Sequence, residues 1–266
     1  YRKPTKAVCK TLGESSTQTL LTRCIFTFKL RVKDANLPKN MNIKHYGHSC
    51  FSFKTQNTEF IVDPFITGNP LAAHVNIKNI KADFILVTHG HQDHILDVVE
   101  IAKNTDAKII SNFEIATWFE NNGLENVHSM NFGGTYTFQD GTVKMVPALH
   151  SSMLPDGSNG GNPAGFIIKS EGNTIYYAGD TGLSMEMELI GRLDQPDLCI
   201  LPIGDTYTMG VEDAIICSDM VRCNKVIGMH YDSFPQLEID KEASKRKFAA
   251  ANKELILMTV EETLVF

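Results

Sequence analysis

From Met41 onward, apolar and polar positions follow strand and helix periods in a regular succession. Residues 42–47 (NIKHYG), 50–55 (CFSFKT) and 59–64 (EFIVDP) alternate or run apolar over strand length. Residues 83–89 (DFILVTH) are apolar on both faces, the pattern of a fully buried strand. In 95–105 (ILDVVEIAKNT), Ile95, Val98, Val99 and Ala102 fall at helical spacing, so a helix follows that strand. Residues 113–123 (FEIATWFENNG) predict another helix, closed by Gly123. Asp140-Gly141 sits between the two runs of 136–146 (YTFQDGTVKMV) and predicts a hairpin. Residues 173–180 (NTIYYAGD), 197–204 (DLCILPIG) and 224–231 (NKVIGMHY) predict buried strands, with a helix over 210–221 and a last strand over 256–260 (ILMTV). Strand–helix alternation in the second half echoes the first, which predicts a layered α/β fold. No repeat-length period is present.

A chain of 266 residues, 42% of them hydrophobic, can bury a sizeable core. Charge divides it unevenly. Residues 1–40 carry nine basic and two acidic side chains, net +7, which leaves 16 basic and 29 acidic, net −13, for 41–266. The expected organisation is a poorly ordered basic tail or leader over 1–40 and a functional domain over 41–266. An acidic body gives no electrostatic case for nucleic acid as the main partner, and it suits a site that collects divalent cations. The six cysteines are scattered with no CxxC pair, as expected for reduced thiols in a cytoplasmic protein. No apolar run approaches the roughly 18 residues of a membrane helix.

The chemistry concentrates in residues 87–94, VTHGHQDH. Three imidazoles and a carboxylate within six residues repel one another once protonated and are hard to satisfy when buried. A metal ion resolves both difficulties, taking a nitrogen lone pair and supplying the opposing charge. The cluster falls where a buried strand ends and a helix begins. Gly90 is expected to let the backbone turn between His89 and His91. Four ligands on one corner are too many for a single tetrahedral ion with an open position, so two ions are expected, His89 and His91 on one, Asp93 and His94 on the other. Further ligands should then stand at other strand ends, and His150 (PALHSS), Asp180 (YAGDTG) and His230 (GMHY) each follow an apolar strand in this way.

THGHQDH, ALHSS, YAGDTG and MHYDSFP, in this order and spacing, resemble the metallo-β-lactamase superfamily over the chain from Met41 nearly to its end. YGHSCF, VDPF, NFEIATW, GGNPAGF and LPIGDTYTMG are similar to its bacterial metal-dependent hydrolases, akin to the L-ascorbate-6-phosphate lactonase type. The resemblance implies a four-layer αββα sandwich. It implies His89, His91 and His150 on a first ion, Asp93, His94 and His230 on a second, and Asp180 bridging them. The expected function is water activation by a dinuclear centre against a small ester, lactone or phosphoester. The alternative is a phosphodiesterase acting on RNA or phospholipid. Mixed His/Asp ligation suits zinc, with manganese and iron as alternatives. The expected partner is a small molecule, with no nucleic acid and no membrane; self-association is left open.

Beyond the ligands, Asp93 can hold or relay a proton. Asp63, after a strand in IVDPF, is the first candidate to orient a ligand ring, and Asp83 the second. His48, on the turn of YGHSC, either acts on substrate or leaving group or is a structural turn histidine. Asp205 and Thr208, in GDTYTMG, resemble a family loop near the site. His45, His74 and His128 lack the strand-end context and read as ordinary core or surface histidines. Ser151 and Ser152 have no Gly-x-Ser-x-Gly elbow around them. The Gly-rich stretch 157–165 lacks the Lys and Ser/Thr of a phosphate loop and reads as a mobile loop at a cleft mouth. Trp118 and the phenylalanines read as core. Met185 and Met187 read as an apolar lid or as helix packing.

Overall fold

The structure, a computed structural model, describes residues 40–266. The tail expected over 1–40 lies outside the described residues but for Asn40. Fourteen strands among the described residues form two seven-stranded mixed sheets. The first contains β1 (Asn42–His45), β2 (Phe51–Lys54), β3 (Glu59–Val62), β4 (Phe84–Leu86), β5 (Lys108–Asn112) and β6 (Val127–Met130), in that spatial order. The second runs from β7 (Thr135–Phe138) through β8 (Gly141–Pro147), β9 (Ala164–Ser170), β10 (Asn173–Tyr177), β11 (Leu198–Pro202) and β12 (Lys225–Met229) to β13 (Glu254–Ile256). The last strand, β14 (Thr263–Val265), crosses back and pairs with β1.

Side-chain alternation builds the layers. Phe60 and Val62 of β3 pack towards the second sheet with Met145 and Phe166, while Ile61 faces the other way. Ile61, Ile85, Val87 and Ile109 are covered by α1 (Gln92–Ile95), α2 (Val98–Thr105) and α3 (Phe113–Asn121), through Ile95, Val98, Ile101, Ile115 and Phe119. The outer face of the second sheet is closed by α4 (Glu186–Leu193), α5 (Val211–Met220) and α6 (Lys241–Ala250), which bury Met187, Ile190, Ala214, Cys217 and Phe248. The result is a four-layer αββα sandwich. Cys50, Cys199, Cys217 and Cys223 are buried free thiols. No described helix is long and apolar enough to cross a membrane.

Three expectations are corrected. The strand expected over 256–260 is instead a passage between sheets. β13 ends at Ile256, the Met258 carbonyl bonds the His45 ring at 3.1 Å, and Glu261 N donates to His45 O. The helix after the histidine cluster breaks into α1 and α2, because the buried Asp97 carboxylate binds the loop after β3 through Ile66 N (2.5 Å), Thr67 N (3.0 Å) and Thr67 Oγ1 (2.5 Å). Not every aromatic is core: Phe113 is exposed, and half-buried Trp118 donates its indole N–H to Asp156 at 2.8 Å.

Phe60 ties the sheets together, stacked on Phe53 at 5.2 Å and edge-on to Phe138 of the second sheet at 5.8 Å. Phe60→Ala leaves a cavity at that seam and should cost about 3–5 kcal/mol, read from denaturant midpoints at unchanged m-value.

Candidate metal centre

The strand directions bring the chemistry to one edge. β1 and β3 both lie antiparallel to β2, and β3, β4 and β5 run parallel. In the second sheet β8 and β10 both oppose β9, and β10, β11 and β12 run parallel. The residues just past these strand ends are His48, Asp63, His89, His91, His150, Asp180 and His230, with Asp93 and His94 on α1. Three of these backbones take left-handed conformations without glycine: His48 (φ 55°), Asp63 (φ 47°) and His230 (φ 56°). Such residues cost strain and persist where their surroundings over-determine them. Gly90 serves space rather than turning. Its φ is not positive, and a Cβ there would stand 3.2 Å from Leu154 and 3.3 Å from the Met153 backbone.

At the centre lies one carboxylate oxygen. Asp180 Oδ2 is 3.0 Å from His230 Nε2, 3.2 Å from His94 Nε2, 3.7 Å from His150 Nε2 and 3.9 Å from His89 Nε2. Around it the ligand-type atoms fall into two groups, and a third set, Asp63, His89 and His94, takes one ring from each. His89, His91 and His150 form one, with His89 Nε2 3.0 Å from His91 Nδ1. His48, Asp93, His94 and His230 form the other, in which Asp93 Oδ2 is 3.1 Å from His48 Nε2 and 3.8 Å from His94 Nε2. All seven residues singled out as ligands therefore meet within one cluster. His48 joins them, which the sequence left open.

Electrostatics sorts the protonation states. Burial, reinforced by neighbouring imidazoles, pushes His89 well below its ordinary range, and burial likewise lowers His91 and His150. Burial also pushes His48 down to about 4, against the opposing hydrogen bond to Asp93. These rings are neutral at pH 7, the form that ligates. His94 is the exception: burial works to lower it, but the carboxylates of Asp180, Asp93 and Asp63 outweigh that and carry it well above the usual histidine range. Asp180 and Asp93 are both held low, burial being overcome by His230 and His94 around the former and by His94 and His48 around the latter.

Asp63 organises the ligand rings. Its fully buried carboxylate accepts from Thr88 N (2.8 Å), Thr88 Oγ1 (2.7 Å) and His94 Nδ1 (2.9 Å), and the Tyr177 hydroxyl lies 3.2 Å away. Thr88 Oγ1 in turn accepts from His89 Nδ1 at 2.9 Å. One carboxylate thus fixes a ring in each group and leaves both Nε2 atoms facing the cluster. Thr88, Tyr177 and Ser233, whose hydroxyl meets His48 Nδ1 at 2.9 Å, were not singled out from the sequence. Only Thr88, written directly before His89, offered a local signal. Elsewhere, Asp83 caps Glu59 N at 2.8 Å, and exposed Asp205 binds Thr206 N at 2.8 Å. The loop carrying Asp205 and Thr208 is nevertheless tied to the site, since Met209 N donates to Thr181 O. The Gly-rich stretch is pinned through Asn112 Nδ2 to Gly160 O (2.7 Å) and Asn162 O (3.1 Å).

The donor set fits divalent metal. Five buried side-chain polar atoms among the described residues lack a hydrogen-bond partner, and three are here: His94 Nε2, Asp180 Oδ1 and His230 Nδ1. Of these, His94 Nε2 lies 3.2 Å from Asp180 Oδ2, where a divalent ion that displaced its proton would satisfy it.

A model of the β-lactamase superfamily domain matches residues 42–230. A UPF0173 metal-dependent hydrolase of Christiangramia forsetii is 52% identical over 225 residues, 84% of this chain and 99% of that protein. The Bacillus subtilis metal-dependent hydrolase YtkL is 43% identical over 208 residues, covering 76% of this chain and 91% of its own length. Among solved structures, Igni18, a metallo hydrolase of the archaeon Ignicoccus hospitalis, superposes with TM-score 0.78 at 35% identity, covering 85% of this chain and 98% of its own.

Asp63→Asn keeps the shape but turns an acceptor into a donor facing His94 Nδ1–H. Metal affinity should fall about 10–100-fold with the fold retained, measured by competition with a chromogenic chelator and by circular dichroism. Because His94 holds a proton at neutral pH, loading wild type at pH 7 should release that proton. Calorimetry in buffers of different ionisation enthalpy counts it.

Proposed function

The chain belongs to the metallo-β-lactamase superfamily and is a metal-dependent hydrolase, and on that premise we propose that it hydrolyses a small ester-type substrate at a dinuclear centre. The observation that carries this reading is the position of Asp180 Oδ2 between two groups of imidazoles, within 3.9 Å of ring nitrogens from both. His89, His91 and His150 would hold one ion, Asp93, His94 and His230 the other, and Asp180 would bridge them. Zinc suits this mixed His/Asp set, and manganese and iron are the alternatives. Divalent metal held by these residues would supply Lewis acidity, lowering the pKa of a bound water and polarising the oxygen of the group under attack.

The side chains do the rest. Neutral His89, His91 and His150 keep lone pairs free at pH 7, and Asp63 holds the rings of His89 and His94 in register. Asp93 is ionised, partly exposed and hydrogen-bonded to His48, so it can take the proton of the attacking water. His48, held by Asp93 on one nitrogen and Ser233 on the other, fixes that carboxylate's direction. The water oxygen bonds to the acyl carbon, the acyl–oxygen bond breaks, and the leaving oxygen takes the proton, giving acid and alcohol. No protein nucleophile is needed. We place the protein in the cytoplasm, where its thiols stay reduced.

Asp180→Ala removes the bridge. Its metal content should drop from two ions per chain to one, with turnover of an activated ester lowered by about 10²-fold or more, measured by elemental analysis and initial rates. Two retained ions and full turnover would refute the bridging role.

A further inference from the structure

The rim of the site has a charge pattern that its metal chemistry does not require. Eight segments border the strand-end edge: residues 46–50, 63–76, 87–97, 111–114, 148–163, 178–185, 203–210 and 230–240. None contains a lysine or an arginine, although 16 such residues are spread over the rest of 41–266. Acids are present there, Asp156, Asp205 and Glu238 among them, and Asp232 is paired at 2.8 Å with Lys241, just past the last segment.

The other devices that proteins use for anions are also taken. The helices that open at this edge carry carboxylates in their first turns: Glu114 on α3, Glu186 on α4 and Glu212 on α5. Each such carboxylate occupies the partial positive charge that would otherwise attract a phosphate. The Gly-rich stretch is no phosphate cradle, because its amides are spent internally. Gly157 N donates to Leu154 O (2.8 Å), Ser158 N to Asp156 Oδ1 (2.9 Å), Gly160 N to Ser152 O (3.0 Å) and Gly161 N to Asn159 Oδ1 (2.8 Å).

In place of charge the rim offers apolar surface. Leu149, Met153, Met185 and Tyr207 are each more than half exposed. All four belong to the loops around the cluster. Leu149 precedes His150, and its carbonyl accepts from Gly182 N, two residues past Asp180. Met153 abuts Gly90 between His89 and His91. Met185 follows Asp180 on the same loop, and the Tyr207 loop is tied to Thr181 by Met209 N. Exposed apolar side chains on loops that border a polar site offer apolar contact to a ligand held there.

We infer that the substrate is an uncharged ester or lactone with an apolar tail, and that the rim disfavours phosphorylated substrates and nucleic acid. This rests on the water-activation reading above. It singles out the neutral acyl member of that substrate range. In lactone opening, water adds across the acyl C–O bond, giving the hydroxy acid with no other reactant. A phosphate carried past this rim would lose hydration, and the lysines that touch it, Lys44 and Lys241, are already paired with Glu261 and Asp232.

Two matched pairs of lactones test it on the full-length, metal-loaded protein. δ-Decalactone differs from δ-valerolactone only by an apolar tail, and 6-phosphogluconolactone differs from δ-gluconolactone only by a phosphate. The tail should raise kcat/KM by about tenfold or more, and the phosphate should lower it. Leu149→Asp and Met185→Asp should each shrink the tail's advantage. A phosphorylated lactone opened as fast as its neutral partner, or a tail advantage intact in both variants, would overturn the inference. Should no lactone turn over, the water-activation reading fails, and binding then decides the substrate class on its own. A thermal shift with δ-decalactone and none with 6-phosphogluconolactone supports it; the reverse, or no shift with either, overturns it.

Discussion

Four imidazole nitrogens face a single buried carboxylate oxygen, and the rest of the domain is organised around that crowding. Asp180 and His230 are almost fully buried and His94 completely so, and an unpaired buried polar atom costs about 1–3 kcal/mol. An isolated peptide could not hold such a cluster. It exists because strands from two sheets, packed over an apolar seam, deliver their ends to one place. The seam supplies the stability that the site withdraws, and the left-handed backbones at His48, Asp63 and His230 show where the scaffold forces the chain against its local preference.

Asp63 shows how that geometry is kept. It lies outside the bridging position, yet through Thr88 and directly it reaches one ring of each ligand group. The Tyr177 hydroxyl between Asp63 and the Ser49 carbonyl (2.5 Å) ties the same carboxylate to the opposite sheet and to the turn that carries His48. A displacement of either sheet is therefore felt at both halves of the site. Rigid support of this kind matters because ligand distances tolerate errors of only a few tenths of an ångström.

Much of this was legible in the chain, for reasons that differ from residue to residue. The seven ligand-type residues could be found because each follows an apolar run or lies in the dense 87–94 cluster, a local pattern that needs no tertiary knowledge. Asp63 was legible on the same ground. Tyr177 was not, because a tyrosine inside an apolar strand reads as core, and it is core; its importance lies only in where its hydroxyl ends. Ser233 meets His48 across 185 residues, a separation no local signal spans. The misread end of the chain has a similar cause. Residues 256–260 have strand composition, and the crossing between sheets is decided by contacts with His45.

The acidic character of the cleft now acquires a second meaning. Asp63, Asp93 and Asp180 all face His94, and among the neighbouring imidazoles it is the one pushed firmly towards its charged form. Divalent ions are the natural counter-charge, so the carboxylates that bind them also make the domain depend on them. The rim segments add no lysine or arginine of their own to attract an anion from outside. The chemistry of attack and the choice of substrate thus fall to different parts of the molecule. Buried carboxylates gather the ions, and exposed side chains on the loops, Leu149 and Met185 foremost, meet whatever molecule those ions act upon.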